Sequence, residues 1–324
     1  MKKKVLSGMR PTGRLHLGHY FGALKNWVAL QDEYECYYMS ADWHALTTDY
    51  ADTSKIDENT FEMVADWITS GIDPEKSVIF KQSDVHQHSE LFLVLSMITP
   101  LGWLYRCPTY KEQLNEIKNK DLNNFGFLGY PVLQAADILL YMADIVPVGE
   151  DQLAHLELSR EVARRFNNFY GNVLVEPQAK LTKSARVPGI DARKMSKSYG
   201  NSVMLGEDDD AIKKKVQEMY TDPLKIKKDD PGHPEGCVVF AFHEIFNENY
   251  KERETECKAG SVGCVLCKRQ LTEMLSVFMK PLAQKRADLM NDKSYLQKVI
   301  KEGTEKAKET AAATMSNIRK ALKF

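Results

Sequence analysis

The stretch Val5-Leu6-Ser7-Gly8-Met9-Arg10-Pro11-Thr12-Gly13-Arg14-Leu15-His16-Leu17-Gly18-His19 changes character twice. It opens as an apolar β-forming run, passes through a turn punctuated by Pro11 and Gly13, and enters a helical pattern at Gly18. A strand feeding a glycine-bearing turn and then a helix is the repeating unit of parallel α/β sheets. The alternation continues outward. Cys36-Tyr37-Tyr38-Met39, Val78-Ile79-Phe80 and Ile145-Val146-Pro147-Val148 read as strands, while residues 18–33, 53–70, 89–99 and 131–143 read as helices, the last with Pro131 at a first helical position. The expected fold is α/β, a doubly wound parallel sheet. Beyond Gly206 the strand signals stop and the pattern is helical, so the domains expected are 1–205 (α/β) and 206–324 (helical). In the last helix Gly303, Ala307 and Ala311 recur every four residues, a small-residue ridge expected to admit a neighbouring helix closely.

A chain of 324 residues that is 43% hydrophobic can bury a large core and ordinarily divides into two domains. No apolar run approaches the ~20 residues of a membrane span, and Met1-Lys2-Lys3-Lys4 leads into no signal-peptide core, so the expected location is cytoplasmic, with no membrane partner. Residues 1–180 carry 17 Lys+Arg against 24 Asp+Glu, and residues 181–324 carry 27 against 21. The excess positive charge of the second part suits a polyanion, although Lys213-Lys214-Lys215 and Lys225, Lys227 and Lys228 also read as solvated helix faces.

Three constellations carry chemistry. In the opening stretch, Gly13 and Gly18 let backbone approach a ligand, His16 and His19 stand where a helix begins, and Arg10 and Arg14 add charge, which together make a phosphate site without a P-loop. In Arg193-Lys194-Met195-Ser196-Lys197-Ser198, two lysines and two hydroxyls lie on a loop flanked by Gly189 and Gly200, suited to closing over a triphosphate and neutralising departing pyrophosphate. The third is the helix face of Tyr130, Gln134, Asp137 and Tyr141, spaced by four, three and four. An aromatic, an amide and a carboxylate on one face can hold a ring and accept one hydrogen bond, and an indole offers only its N–H donor.

His16-Leu17-Gly18-His19 resembles the HIGH motif, and Lys194-Met195-Ser196-Lys197-Ser198 matches the KMSKS motif, of the class I aminoacyl-tRNA synthetases. The resemblance implies a Rossmann-type catalytic domain, ATP as substrate with Mg²⁺, and a helical domain that reads the anticodon. It implies catalytic roles for His16, His19, Lys194, Ser196 and Lys197. The stretch from Tyr130 to Tyr141, with Val146 to Gln152 after it, resembles the tryptophanyl branch of this family, with the tyrosyl branch as the rival and a non-catalytic RNA-binding relative as a further alternative. On the tryptophanyl reading the chain converts L-tryptophan and ATP to tryptophanyl-adenylate and pyrophosphate, then charges tRNA(Trp); DNA is no partner. By resemblance Asp137 binds the indole nitrogen, Tyr130 and Gln152 the ammonium end, and Gly8, His44, Gln134, Ile138, Val146 and Val148 complete the pocket; His44 reads equally as a core histidine. ATP would be held by Arg10, Pro11, Thr12, Gly18, His19, Lys111, Gly149, Glu150, Asp151, Val187, Lys194, Met195, Ser196, Lys197 and Ser198. A homodimer is implied in the same way. Some bacterial relatives carry threonine and asparagine where this chain has His16 and His19, and the histidines are expected to make ionisation a variable near neutral pH.

Cys36 and Cys107 are isolated, whereas Cys237, Cys257, Cys264 and Cys267 follow the pattern Cys-x19-Cys-x6-Cys-x2-Cys. Four thiolates within a short stretch meet the Cys₄ requirement of a [4Fe-4S] cluster. A structural zinc site and four unrelated buried thiols are the alternatives. Some bacterial tryptophanyl enzymes resemble this chain in carrying a cluster at such a site.

Overall fold

The computed structural model describes residues 2–116, 120–181 and 187–324. Five strands, β1 (Lys4–Met9), β2 (Glu35–Ser40), β3 (Ser77–Lys81), β4 (Ile145–Val148) and β5 (Gln178–Leu181), form one sheet in the order β3-β2-β1-β4-β5. Every neighbouring pair is parallel, with Val5 opposite both Cys36 and Ile145, Cys36 opposite Ser77, and Ile145 opposite Gln178. β2 buries every residue but Glu35, as a central strand covered on both faces must. The strand order reverses at β1, so the carboxyl ends of β1 and β4 flank the switch point at which open α/β sheets take their ligands. Gly8 to Thr12 leave one of these strands and Gly149 to Asp151 the other.

The helices used below are α1 (Asp42–Asp49), α2 (Ile56–Thr69), α3 (Gln87–Ile98), α4 (Phe125–Leu140), α5 (Leu153–Tyr170), α6 (Cys264–Asn291) and α7 (Lys293–Leu322). α4 starts earlier than the sequence pattern predicts. Asn124 caps it by accepting a hydrogen bond from the Phe127 N–H at 2.9 Å, and Pro131 therefore lies inside the helix, where it removes one helical donor, and not at the first position. The segment expected as one helix over 18–33 is three pieces: a short α turn Leu17–His19, a π turn Tyr20–Leu24 and the helix Lys25–Leu30. β5 carries no sequence signal because Gln178, Lys180 and Leu181 are exposed on an edge strand, so no burial pattern marks it.

The chain forms two compact units, each assembled from separated segments. Unit 1 is Met1–Gly13, Asn26–Thr182 and Asp292–Phe324; unit 2 is Arg14–Lys25 and Lys183–Asn291. Unit 1 holds the sheet and a core in which Leu6, Tyr37, Met39, Phe80, Leu139 and Tyr141 are buried with Ala307 and Ala311 of α7. At Gly303 the neighbour that the small-residue ridge of α7 admits is a strand and not a helix: a Cβ there would lie 1.9 Å from the carbonyl oxygen of Ile79, on the edge strand β3. Glycine is required because backbone packs on backbone. In unit 2, Tyr20 and Phe21 pack against Phe278, and Phe21 edge-on against Phe246 as well. Among the described residues no helix is long and apolar enough to cross a membrane.

Candidate active site

In unit 1, α4 buries Asp137 among polar side chains. Its Oδ2 accepts from the His44 Nε2–H of α1 at 2.8 Å; its Oδ1 accepts from the Gln82 side-chain amide at 2.8 Å and from the His88 Nδ1–H of α3 at 2.6 Å. Asp137, Gln82 and His88 are all buried. Burial alone would raise the Asp137 pKa, but the imidazoles of His88 and His44 outweigh it and hold the carboxyl below its ordinary value, so it is ionised at neutral pH. The orientation of Gln82 follows from its other end, where Oε1 accepts the Trp43 backbone N–H at 3.1 Å and leaves the amide N–H groups for Asp137. His88 in turn lies 2.8 Å from the Tyr141 hydroxyl through Nε2. Burial raises the Tyr141 pKa well above its ordinary value, so that hydroxyl keeps its proton.

Tyr130, two turns up the same face, is buried, stacks at a tilt on Phe127 and brings its hydroxyl to 3.4 Å from His155 Nε2. His155 on α5 also lies 3.5 Å from the Cys107 thiol, and burial pushes its pKa down to about 4, so it is neutral. Ile138, Val146 and Val148 are buried on this helix and on β4, while Gln134 is half-buried and Gly8 exposed at the end of β1. Of the other predicted ligands in unit 1, Arg10 donates to the Thr48 hydroxyl and lies 3.8 Å from Asp49. Pro11 is buried and Thr12 exposed. Gln152 donates to Asp151 at 2.9 Å, Gly149 and Glu150 open the turn after β4, and Lys111 is exposed on the helix Pro108–Glu116.

Unit 2 joins the two signature motifs. The Leu17 N–H donates to the Val203 carbonyl and the Leu205 N–H to that of Leu15, so the histidine turn is stitched to the segment after the lysine loop. The rings of His16 and His19 are 3.7 Å apart, and Lys197 Nζ donates to the Arg14 carbonyl at 2.9 Å. Gly18 packs closely here, since a Cβ would sit 3.0 Å from the His16 ring, a tight contact. Burial, with Lys197 nearby, lowers the pKa of His16 to about 4; burial, then His16 and Lys197, lowers that of His19 to about 3. Both are therefore neutral at physiological pH, which corrects the expectation of a near-neutral switch: the positive neighbour and the loss of water both disfavour the imidazolium. The buried Nδ1 of His16 has no hydrogen-bond partner among the described residues, which suits it to bond a ligand.

The lysine loop is held by Asn201, a residue that belongs to no motif. Its side chain donates to Asp191 at 2.7 Å and to the Lys194 carbonyl at 3.1 Å, and accepts the Ser196 N–H at 2.8 Å. Gly189 makes room for it, since a Cβ there would meet the Asn201 amide at 2.2 Å. Ala192 sits at φ 69°, strained for a residue with a side chain. The loop thereby buries Met195 and presents Lys194 and Ser198 to solvent, with Ser196 half-buried; Val187 is buried before it. Of the lysines read as a solvated face, Lys225 is instead buried and donates to the Lys228 carbonyl at 2.9 Å, and Lys215 donates to the Ser202 carbonyl at 2.6 Å.

Cys237, Cys257, Cys264 and Cys267 line one small cavity of unit 2 that is partly open to solvent. Burial pushes the Cys267 thiol up to about 12, and Cys237 and Cys257 are raised for the same reason. Cys267 also lies 3.2 Å from His243 Nε2. Among the described residues no three His, Cys, Asp or Glu side chains converge as a ready site for a single metal ion. The donor set is thus gathered but not closed.

Residues 1–280 match the family described as tRNA synthetases class I (W and Y), and the chain belongs to it. Two full-length relatives narrow the position. The tryptophan–tRNA ligase of Thermotoga maritima is 50% identical, covering 98% of each chain, and that of Aquifex aeolicus is 44% identical, covering 98% of this chain and 99% of the relative. The crystal structure of tryptophanyl-tRNA synthetase from Campylobacter jejuni complexed with ADP and tryptophan superposes with a TM-score of 0.90 at 34% identity over 99% of this chain and 100% of that one. Within the class, the family is that of the tryptophanyl-tRNA synthetases.

Proposed function

We propose that the chain activates L-tryptophan with ATP to tryptophanyl-adenylate and pyrophosphate, and then transfers the tryptophan to tRNA(Trp). Full-length similarity to tryptophan–tRNA ligases at 50% and 44% identity carries the reading. The tryptophan carboxylate is itself the nucleophile toward the α-phosphorus, so the chemistry asks for positioning and charge stabilisation, with no general base. In this reading Asp137 accepts the indole N–H, while Tyr130 and Gln152 face the ammonium group. Neutral His16 and His19 act on the phosphates as hydrogen-bond donors, and Lys194 and Lys197 neutralise departing pyrophosphate. Mg²⁺ would accompany ATP and share that charge. Pyrophosphate exchange assayed with each of the twenty amino acids tests it: tryptophan alone should support exchange, and equal activity with tyrosine would overturn the assignment.

Two further parts of the reading have their own support. Large apolar side chains are exposed at Leu93 and Met97 on α3 and at Leu101 and Tyr105 on the short helix after it, and such surface favours burial against a second copy in a homodimer. A monomer at micromolar concentration in sedimentation equilibrium would refute this. The four cysteines lining one cavity support a [4Fe-4S] cluster, which would take its thiolates from Cys237, Cys257, Cys264 and Cys267, with a single structural zinc as the alternative. Iron and zinc analysis of anaerobically purified protein separates the two. The anticodon is assigned to the helical residues 206–324, and within them to 206–291, since α7 belongs with the sheet.

A further inference from the structure

Asp137 offers about four lone-pair directions on two oxygens, and three are taken. Oδ1 receives both Gln82 and His88 and is full; Oδ2 receives only His44. A carboxylate is two-fold symmetric, so nothing in Asp137 itself decides which oxygen is free. The decision comes from its partners. Gln82 has its amide orientation set by the Trp43 N–H. His88 is buried between two partners: the Asp137 carboxylate only accepts, so Nδ1 carries a proton aimed at Oδ1, and the Tyr141 hydroxyl, which can donate or accept, holds the ring from its Nε2 side.

We infer that His88, held in place by Tyr141, is a positioning residue for amino-acid selection: it locks Oδ1 of Asp137 so that the remaining lone pair of Oδ2 stands ready for an indole N–H. The inference deepens the reading in which Asp137 meets the indole, and rests on it. A side chain that brings a donor to Oδ2 completes the pocket; one that brings none leaves a buried anion short of its fourth partner. A relaxed carboxylate, free to rotate or to share Oδ2 with a loosened His44, would feel that difference less.

The probe is an isostere that replaces the indole N–H by sulfur, β-(benzothiophen-3-yl)alanine, compared with tryptophan in pyrophosphate exchange. The unsubstituted enzyme should favour tryptophan strongly in kcat/KM. His88→Phe, which removes both hydrogen bonds, should reduce that ratio by roughly tenfold or more, with the KM for ATP within about twofold. His88→Asn, which keeps a donor near the Nδ1 position, should retain more of the ratio than His88→Phe. Tyr141→Phe, which removes a single oxygen and with it the hydrogen bond that holds the far side of the His88 ring, should lose part of it and serves if His88→Phe does not fold. If the His88 and Tyr141 variants lose activity equally toward tryptophan and the sulfur isostere, His88 serves only packing and the inference falls. If the unsubstituted enzyme does not distinguish the two amino acids, the contact between Asp137 and the indole falls first, and the inference with it.

Discussion

Asp137 and Lys197 are the ionic centres of the two units, and their surroundings are built on opposite plans. Three donors converge on the buried Asp137 carboxylate before any ligand arrives, whereas Lys197 rests on the Arg14 carbonyl beside two imidazoles that burial and its own charge keep neutral. A pocket whose charge is already compensated suits recognition, because it gives the same rigid acceptor to every candidate and rejects those that cannot complete it. A cation beside neutral groups suits chemistry, because its field acts on charge that arrives with the reaction.

The widest separation between the two plans is expected at Lys197. Lys197→Ala should slow single-turnover adenylate formation by about 100-fold, with tryptophan affinity changed by less than about twofold. Stopped-flow rates against tryptophan binding measure the split, and equal losses in both would make the lysine a ground-state binding group. Next comes Asp137→Ala, which strands His44, Gln82 and the His88 N–H in a buried space. It should lower kcat/KM for tryptophan by roughly 10- to 100-fold and lower the melting temperature, with little change in the KM for ATP. Ser at both Cys264 and Cys267 should reduce tRNA charging by about tenfold while exchange stays near its original rate, because neither cysteine belongs to the two ionic centres. Parallel loss of exchange would tie the cysteines to catalysis.

The smallest effect concerns acid. His16 and His19 titrate at about 4 and about 3 in the folded chain against 6.5 when exposed, so between these values the unfolded chain binds more protons. Their neutral forms contribute stability that is complete above about pH 6.5 and drains away as the pH falls toward 4 and then 3. The melting temperature should therefore drop between about pH 6.5 and 5 more steeply than in a His16→Asn, His19→Asn double variant, and neither histidine should place a break in the rate profile from about pH 6.5 to 8.

The first four strands were legible because buried parallel strands are short apolar runs, as Val5-Leu6, Tyr37-Tyr38-Met39, Ile79-Phe80 and Val146-Pro147-Val148 are. The signature turns were legible because glycine, histidine and lysine at such fixed spacing seldom coincide by chance. What the sequence hid was mediated by partners distant in the chain. Gln82 and His88 carry no motif, although Gln82 directly follows the carboxyl end of β3, where ligands of α/β sheets are held, and His88 opens the helix after it. Asn201 looks like loop polarity until it is seen to bond Asp191, Ser196 and Lys194 together. The protonation of His16 and His19 depends on burial and on Lys197, which lies far along the chain, so residue type alone pointed to a titration near neutral pH that the fold does not allow.

The seat of Gly303 on Ile79 has a kinetic side. β3 is the outer strand of the sheet, and the helix that packs on its backbone is encoded more than two hundred residues later, so during synthesis β3 can pair with β2 and then wait. Its outer flank stays open until α7 leaves the ribosome, and contacts of such long sequence separation form late and slowly. The β3 edge thus acquires its protection from edge-to-edge association only as α7 arrives, which makes the interval before that arrival one in which a chaperone has much to do.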